Sequence, residues 1–208
     1  ADGGEGTVEA IVSATGGRTI RVDVSDPLGR RIEAAFGLTG DGKGAVVEMA
    51  AASGLALLKP EERRPLETTT FGTGEVIRAA LKEDVSELVV GIGGSATVDG
   101  GVGMAQALGV RFLDEQGTEV GWGGGRLQHV HQIDISGRDP RIGSLRVRVA
   151  CDVTNPLVGP EGAARVFGPQ KGASPQDVEQ LEAGLEHLAD MIEHDLSVDV
   201  RELPGGGA

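Results

Sequence analysis

Leu88-Val89-Val90-Gly91-Ile92-Gly93-Gly94-Ser95-Ala96-Thr97-Val98-Asp99-Gly100-Gly101-Val102-Gly103 couples an apolar run to a loop nearly bare of side chains. Leu88–Val90 has the length and branching of a buried strand. Of the thirteen residues from Gly91 to Gly103, seven are glycine or alanine, so backbone N–H groups can approach a ligand closely. A strand running into such a loop is a common frame for an anion site. Ser95, Thr97 and Asp99 are the loop's polar side chains, and they offer two hydroxyls and one carboxylate to a phosphorylated ligand or its metal. A helix is predicted next, over Val102–Leu108.

Composition narrows the classes. The chain has 208 residues, 39% of them hydrophobic, enough for one large domain with a buried core. Its formal charge is −13. That argues against a nucleic-acid surface, which needs a basic face, and leaves an anionic ligand to local cations and backbone dipoles. Aromatic residues make up 2% and Tyr is absent, so a base-stacking platform is excluded. Cys151 is the single cysteine, which rules out an internal disulfide and suits a reducing cytoplasm. No apolar run approaches a membrane span and no secretory signal opens the chain.

Upstream of the loop, Thr7–Ala14 reads as a short helix ended by Gly16-Gly17. Thr19–Val24, Arg31–Leu38 and Ala45–Met49 read as three strands without intervening helices, an antiparallel meander. The spacing Gly37…Gly42-Lys43 imitates a phosphate loop, but no Ser or Thr follows the lysine and a strand follows instead of a helix, so it reads as a hairpin turn. Glu48–Leu55 is small and apolar, suited to close approach by another element or a ligand. Thr68-Thr69-Thr70-Phe71-Gly72-Thr73-Gly74 precedes a helix to Leu81 and is a candidate N-terminal anion pocket, with Thr73 as a ligand contact.

Downstream, Val110–Leu113 reads as a strand paired through a turn at Asp114–Gly117 with Thr118–Val120. Gly91, Gly93 and Ala96 after a strand, with Asp114 ending the next one, imitate a dinucleotide fingerprint and suggest a rival reading as an oxidoreductase domain. Against it, Asp99-Gly100-Gly101 interrupts the helix that fingerprint needs. Gly121-Trp122-Gly123-Gly124-Gly125 reads as a hinge or a crossing loop without regular order. Val130–Ile135 and Leu145–Val149 read as strands. His129 and His131 share one strand face at metal-ligand spacing, yet no further His or Cys lies nearby, so they read as surface residues and no dedicated metal site is expected. Asp152 and Asn155 follow a buried strand and are candidates for hydrogen bonding or magnesium, while Cys151 reads as a small buried residue. Arg165 and Lys171 are the cations expected at phosphate or carboxylate. Ser174, Pro175 and Asp177 open a helix whose stripe is Val178, Leu181, Leu185, Leu188 and Met191. Residues 204–208 read as a cut linker.

Four blocks carry a resemblance to a known family: Ala1-Asp2-Gly3-Gly4-Glu5-Gly6-Thr7, Thr69-Thr70-Phe71-Gly72-Thr73-Gly74-Glu75, the central loop, and Ala150-Cys151-Asp152-Val153-Thr154-Asn155-Pro156-Leu157 continuing to Phe167-Gly168-Pro169-Gln170-Lys171-Gly172-Ala173. In these blocks the chain resembles the bacterial glycerate kinases of the glyoxylate and glucarate type. Val98 is a departure, since the family usually has Asn there. Family members usually begin with a strand and an Asp-Ser-Phe-Lys segment and end with a Gly-Glu-Gly segment. The chain carries neither, and is expected to be the central part of such an enzyme.

The resemblance implies an α/β or α+β domain, with a mixed sheet, an antiparallel meander and packed helices, as the inserted or second domain of a two-domain kinase. It implies ATP-dependent phosphorylation of D-glycerate with Mg2+, the 2-position being favoured over the 3-position. Glycerate and ATP are the expected partners, a homodimer is the candidate assembly, and neither nucleic acid nor membrane is expected. Expected catalytic residues are Asp2, Asp99, Asp152 and Lys171, with one of the three aspartates as base and the choice open. Gly93, Gly94, Ser95, Thr97, Thr73, Asn155 and Arg165 are the expected contacts for substrate and phosphate. A substrate-binding or assembly module without catalysis is the second reading.

Overall fold

The computed structural model describes residues 3–208. Asp2, one candidate base, lies outside the described residues. Helix α1 (Thr7–Thr15) begins where the Val8 N–H meets the Glu48 carboxylate at 2.7 Å. Strands β1 (Arg18–Ser25), β2 (Arg31–Leu38) and β3 (Gly44–Glu48) follow as an antiparallel meander. The Thr39–Lys43 turn between β2 and β3 is the phosphate-loop mimic, and Asp41 accepts from Thr39 and Lys43 inside it. Helix α2 (Ala50–Ser53) is one turn long. Helix α3 (Phe71–Ala80) buries Val76 and Ile77, as the spacing predicts.

Strand β4 (Glu87–Gly91) is the expected apolar run, and helix α4 (Val102–Ala107) closes the central loop. The short strands β5 (Arg111–Leu113) and β6 (Gln132–Asp134) pair with each other in a separate two-stranded sheet. Thr118–Val120 pairs with the other edge of β5 across the Asp114–Gly117 turn, as expected: Leu113 bridges Glu119, and the Asp114 and Val120 N–H groups donate to the Thr118 and Phe112 carbonyls, each at 2.8 Å. Strand β7 (Arg146–Ala150), helix α5 (Ala163–Phe167) and helix α6 (Pro175–Leu196) complete the chain. Ser174 and Asp177 cap α6 reciprocally, and Val178, Leu181, Leu185 and Leu188 are buried beneath it. Each such leucine contributes roughly 2 kcal/mol of burial.

The main sheet has the order β1-β2-β3-β4-β7. Its first two pairings are antiparallel; β3–β4 and β4–β7 are parallel. Mixing follows from the connections: tight turns join β1, β2 and β3, whereas a helix or longer crossing separates β3 from β4 and β4 from β7. Two apolar cores result. One, with Phe36, Val47, Val76 and Leu88, lies against the sheet; the other, with Val102, Leu127, Leu181 and Leu185, lies under α6. Val90 belongs to the first core and Val98 to the second, so the central loop joins them. Val98 is thus a packing residue at 4% exposure.

The 121–125 segment packs on its neighbours at two points. Trp122 packs on Phe71 with ring centroids 4.7 Å apart. Gly124 is buried so tightly that a Cβ would sit 2.3 Å from the Val98 carbonyl. Compact packing corrects the expectation of an irregular crossing. His129 ends a 3-10 segment (Gly124–His129) and His131 lies in the link to β6, so the two do not share a strand face. They line a surface cleft with His187, whose Nε2 is engaged by the Val130 carbonyl at 2.6 Å. No helix among the described residues is long and apolar enough to cross a membrane.

Candidate active site

Parallel strands end on one side of a sheet, and ligands in open α/β folds bind beyond those ends. Here β3, β4 and β7 terminate together, at Glu48, Gly91 and Ala150. Gly3 crosses the ends so closely that a Cβ on Gly91 would lie 1.9 Å from the Gly3 carbonyl. Beyond Gly91 the loop runs along the end of α2. Leu55 N–H donates to the Gly94 carbonyl, Ala96 N–H donates to the Ser53 carbonyl, and Gly54 bridges Ser95. This close pairing is why 48–55 is small: Ala52 and Ser53 are fully buried under the loop. Gly94 takes φ +76°, a left-handed conformation open to glycine.

Lys171 meets this loop from the other half of the molecule. It ends a 3-10 turn (Pro169–Lys171) before Gly172, whose φ is +97°. Its side chain is 4% exposed. The amine donates to Ser95 Oγ at 2.8 Å and to the Thr97 carbonyl at 2.6 Å, which leaves one of its three N–H bonds for a ligand. Burial lowers the amine from its usual range to about 8, while the charge of Asp99 pulls the other way.

Two clefts flank Lys171. The first, about 360 Å³, is lined by Leu55, Ile92, Gly93, Gly94, Ser95, Cys151, Asp152, Val153, Phe167, Gln170, Lys171 and Ala208. The second, about 280 Å³, includes Thr70, Thr97, Asp99, Gly101 and Leu157. Ser95 and Lys171 line both, and Lys171 is the basic side chain common to them among the described residues. Residues 205–208 form part of the wall: the Gly207 N–H donates to the Asn155 carbonyl at 3.0 Å, and Gly205 packs on Cys151.

The fold thus brings together Gly93, Gly94, Ser95, Asp152 and Lys171 from the sequence candidates. Asp152 is exposed at the cleft and makes no hydrogen bond or ion pair within the described residues. Thr97 contributes its carbonyl to Lys171. Other candidates have internal partners. Asp99 is 2% exposed, and its carboxylate accepts from Thr70 N–H, Thr70 Oγ1, Gly101 N–H and Gly103 N–H. Three of these donors fall on Oδ2 and one on Oδ1, so most of its accepting capacity is used inside the fold, although it lines the second cleft. Burial pushes its carboxyl above the usual range, and those four bonds draw it back. The anion pocket expected before α3 is therefore filled by the protein's own carboxylate.

Three further candidates also have internal partners. Thr73 is fully buried and donates to Ser53 Oγ at 2.8 Å, fastening α3 to α2. Arg165 is exposed and forks onto Glu179 at 2.7 and 3.1 Å, away from both clefts. Asn155 donates its amide to the Glu161 carbonyl at 2.8 Å and shapes a loop. Leu55, Gln170, Phe167 and Cys151 were not expected as lining residues. Only the neighbourhood of Lys171 in the chain could have pointed to Phe167 and Gln170. The dinucleotide pattern also fails: α4 starts eleven residues after Gly91, and the Asp114 carboxylate is used by Gln116 and Thr118 within its own turn.

Among the described residues no three His, Cys, Asp or Glu side chains are grouped to hold a metal. Magnesium needs less, one or two carboxylates besides a ligand's phosphates. The unpartnered Asp152 suits that role and the internally bonded Asp99 does not.

A mixed α/β domain with a glycine loop and a buried amine at the ends of parallel strands has the form of an anion-binding α/β protein. Comparison carries this further: the model for the "Glycerate kinase family" matches residues 1–208, and the chain belongs to that family. It is 55% identical over 208 residues to the glycerate 2-kinase of Escherichia coli K12, covering 100% of this chain and 55% of that one. It is 54% identical to the glycerate kinase of Bacillus subtilis 168, covering 100% of this chain and 54% of the relative. A crystal structure from Salmonella typhimurium LT2, provisionally named glycerate kinase 2, superposes with TM-score 0.98 at 56% identity, over 100% of this chain and 56% of that one. The chain spans about half the length of the curated relatives it matches.

Proposed function

We propose that the protein transfers the terminal phosphoryl group of ATP to a hydroxyl of D-glycerate. The observation that carries this reading is the Lys171 amine, buried at the junction of two clefts in a chain of this family. Phosphoryl transfer asks the protein chiefly for positioning and for charge opposite the transferring group. Lys171 supplies that charge in a chain that is otherwise strongly acidic. Gly93 and Gly94 let the backbone approach the anion. Asp152 accepts the proton of the attacking hydroxyl as the new O–P bond forms and the bond to the ADP oxygen breaks. Magnesium, when bound, would neutralise charge on the phosphates; holding it is the alternative role for Asp152, in place of acting as base. The 2-hydroxyl is the favoured acceptor, in keeping with the name of the relative from Escherichia coli.

The test is D-glycerate-dependent release of ADP, with the product identified by phosphorus NMR, in the protein and in Lys171→Ala. Turnover lost in the variant by about a hundredfold supports the assignment. Equal turnover in both ends it. Homodimer assembly and a cytoplasmic location accompany this reading, and light scattering and cell fractionation test them.

A second reading rests on the chain's coverage of about half its relatives. On it, residues 1–208 form the inserted or second domain, which binds the acid or mediates assembly, while turnover needs further residues. Calorimetry with glycerate and ATP separately distinguishes the two. Binding without turnover favours the second reading, and turnover by the chain itself removes it.

A further inference from the structure

We propose that Asp99 is a positioning residue, whose carboxylate holds the loop that supplies both hydrogen-bond acceptors of Lys171 and so fixes that amine between the two clefts. The proposal rests on Lys171 being a working group of the proposed site.

Lys171 reaches across the molecule. Its two acceptors lie 76 and 74 residues away, at Ser95 and Thr97. The amine therefore sits where the 95–97 segment sits. That segment is tied from behind at two points. Thr68 Oγ1 donates to the Ala96 carbonyl at 2.8 Å, one residue from each acceptor. Two residues beyond Thr97, Asp99 Oδ2 gathers Thr70 N–H and Oγ1 at 2.8 and 2.9 Å and Gly103 N–H at 3.3 Å, while Oδ1 takes Gly101 N–H at 3.2 Å. Thr70 Oγ1 in turn accepts from Met104 N–H at 2.9 Å. One carboxylate thus joins the 68–70 segment, the central loop and the start of α4. A neutral side chain of the same size cannot accept all four donors. Asp99 also acts at a distance, since its charge favours the protonated amine.

The other groups around Lys171 do not duplicate this. Cys151 and Asp152 line the first cleft from the end of β7, Gln170 is a neighbour on the same turn, and Arg63 packs on Gly172. Of these, Asp152 is the one further carboxylate, and it is solvated.

The experiment is lysine NMR on the chain with Asp99→Asn, following the Lys171 Nζ signal with pH and its through-space contact to Ser95. Rates of reductive methylation of Lys171 are measured alongside. The expected result is a titration midpoint lowered below about 8, loss of the Ser95 contact, and amine reactivity at pH 7.5 raised above that of the parent. Thr70→Val, which removes one donor and leaves the carboxylate, serves if Asp99→Asn does not fold. It should weaken the Ser95 contact while the midpoint stays near 8. An unchanged Lys171 signal in a folded Asp99→Asn protein overturns the proposal, even if thermal stability falls, as does an unchanged contact in Thr70→Val when that variant is the one read. Neither readout requires glycerate phosphorylation, so failure here is separate from failure of the kinase reading.

Discussion

Thr70 binds Asp99 twice, through its backbone N–H at 2.8 Å and its hydroxyl at 2.9 Å, on a single carboxylate oxygen. The helix start that looks ready for a phosphate already holds an anion. Lys171 and Ser95 line both clefts, whereas Thr70 and Asp99, already bonded to each other, line only the second.

Lys171 should make stability rise with pH in an alkaline window. Its folded-state value, about 8, lies below the ordinary 10.5. Between those values the unfolded chain binds more protons than the folded one, so stability increases as pH rises from about 8 towards 10.5. The gain is roughly 3 kcal/mol for the amine itself. Urea unfolding of the protein and of Lys171→Met at pH 7, 8, 9 and 10 should show the wild type gaining on the variant over that window. Parallel pH profiles would contradict it.

Asp152→Asn should separate chemistry from folding. The side chain is exposed and unpartnered, so the melting curve should stay within about 0.5 kcal/mol of wild type. Phosphoryl transfer to glycerate should fall about a hundredfold in kcat. Full turnover in this variant would remove Asp152 as the base.

Arg165→Ala should leave turnover within error of the parent while lowering the melting temperature. It lines neither cleft, but besides exposed Glu179 it faces Glu182 at 3.8 Å, and that carboxylate, 4% exposed, loses its cation in the variant. A large rise in the KM for glycerate would restore it to the site.

Two glycines should respond differently to alanine. Gly91→Ala places a methyl 1.9 Å from the Gly3 carbonyl at the meeting of three strand ends, and should cost roughly 3 kcal/mol. Gly42 sits at φ +69° with open space around it, so Gly42→Ala should cost about 1 kcal/mol, the backbone term alone. Chemical denaturation of both variants measures the contrast.

Much of the architecture is legible in local patterns. The β1–β2–β3 meander follows from alternation broken by Asp26-Pro27-Leu28-Gly29 and by Gly40-Asp41-Gly42. The capping pair Ser174 and Asp177 and the leucine stripe specify α6. Such features rest on contacts within a few residues. Strand pairing across longer gaps is less accessible, as β5 shows: its hairpin contact with Thr118–Val120 follows from the turn between them, whereas its second partner, β6, lies about twenty residues on.

By itself the sequence determined that a bare glycine loop follows a buried strand, that few cations are available to an acidic chain, and that the family blocks run through it in order. Only tertiary structure decided which polar side chains are left without a partner inside the fold. Thr73, Asp99 and Arg165 have the same chemistry as useful site residues, but Ser53, Thr70 and Glu179 already satisfy them. The physical reason is that a hydrogen-bonding group is spent or free according to neighbours brought from elsewhere in the chain, and the 76 residues between Ser95 and Lys171 carry no local trace of their meeting.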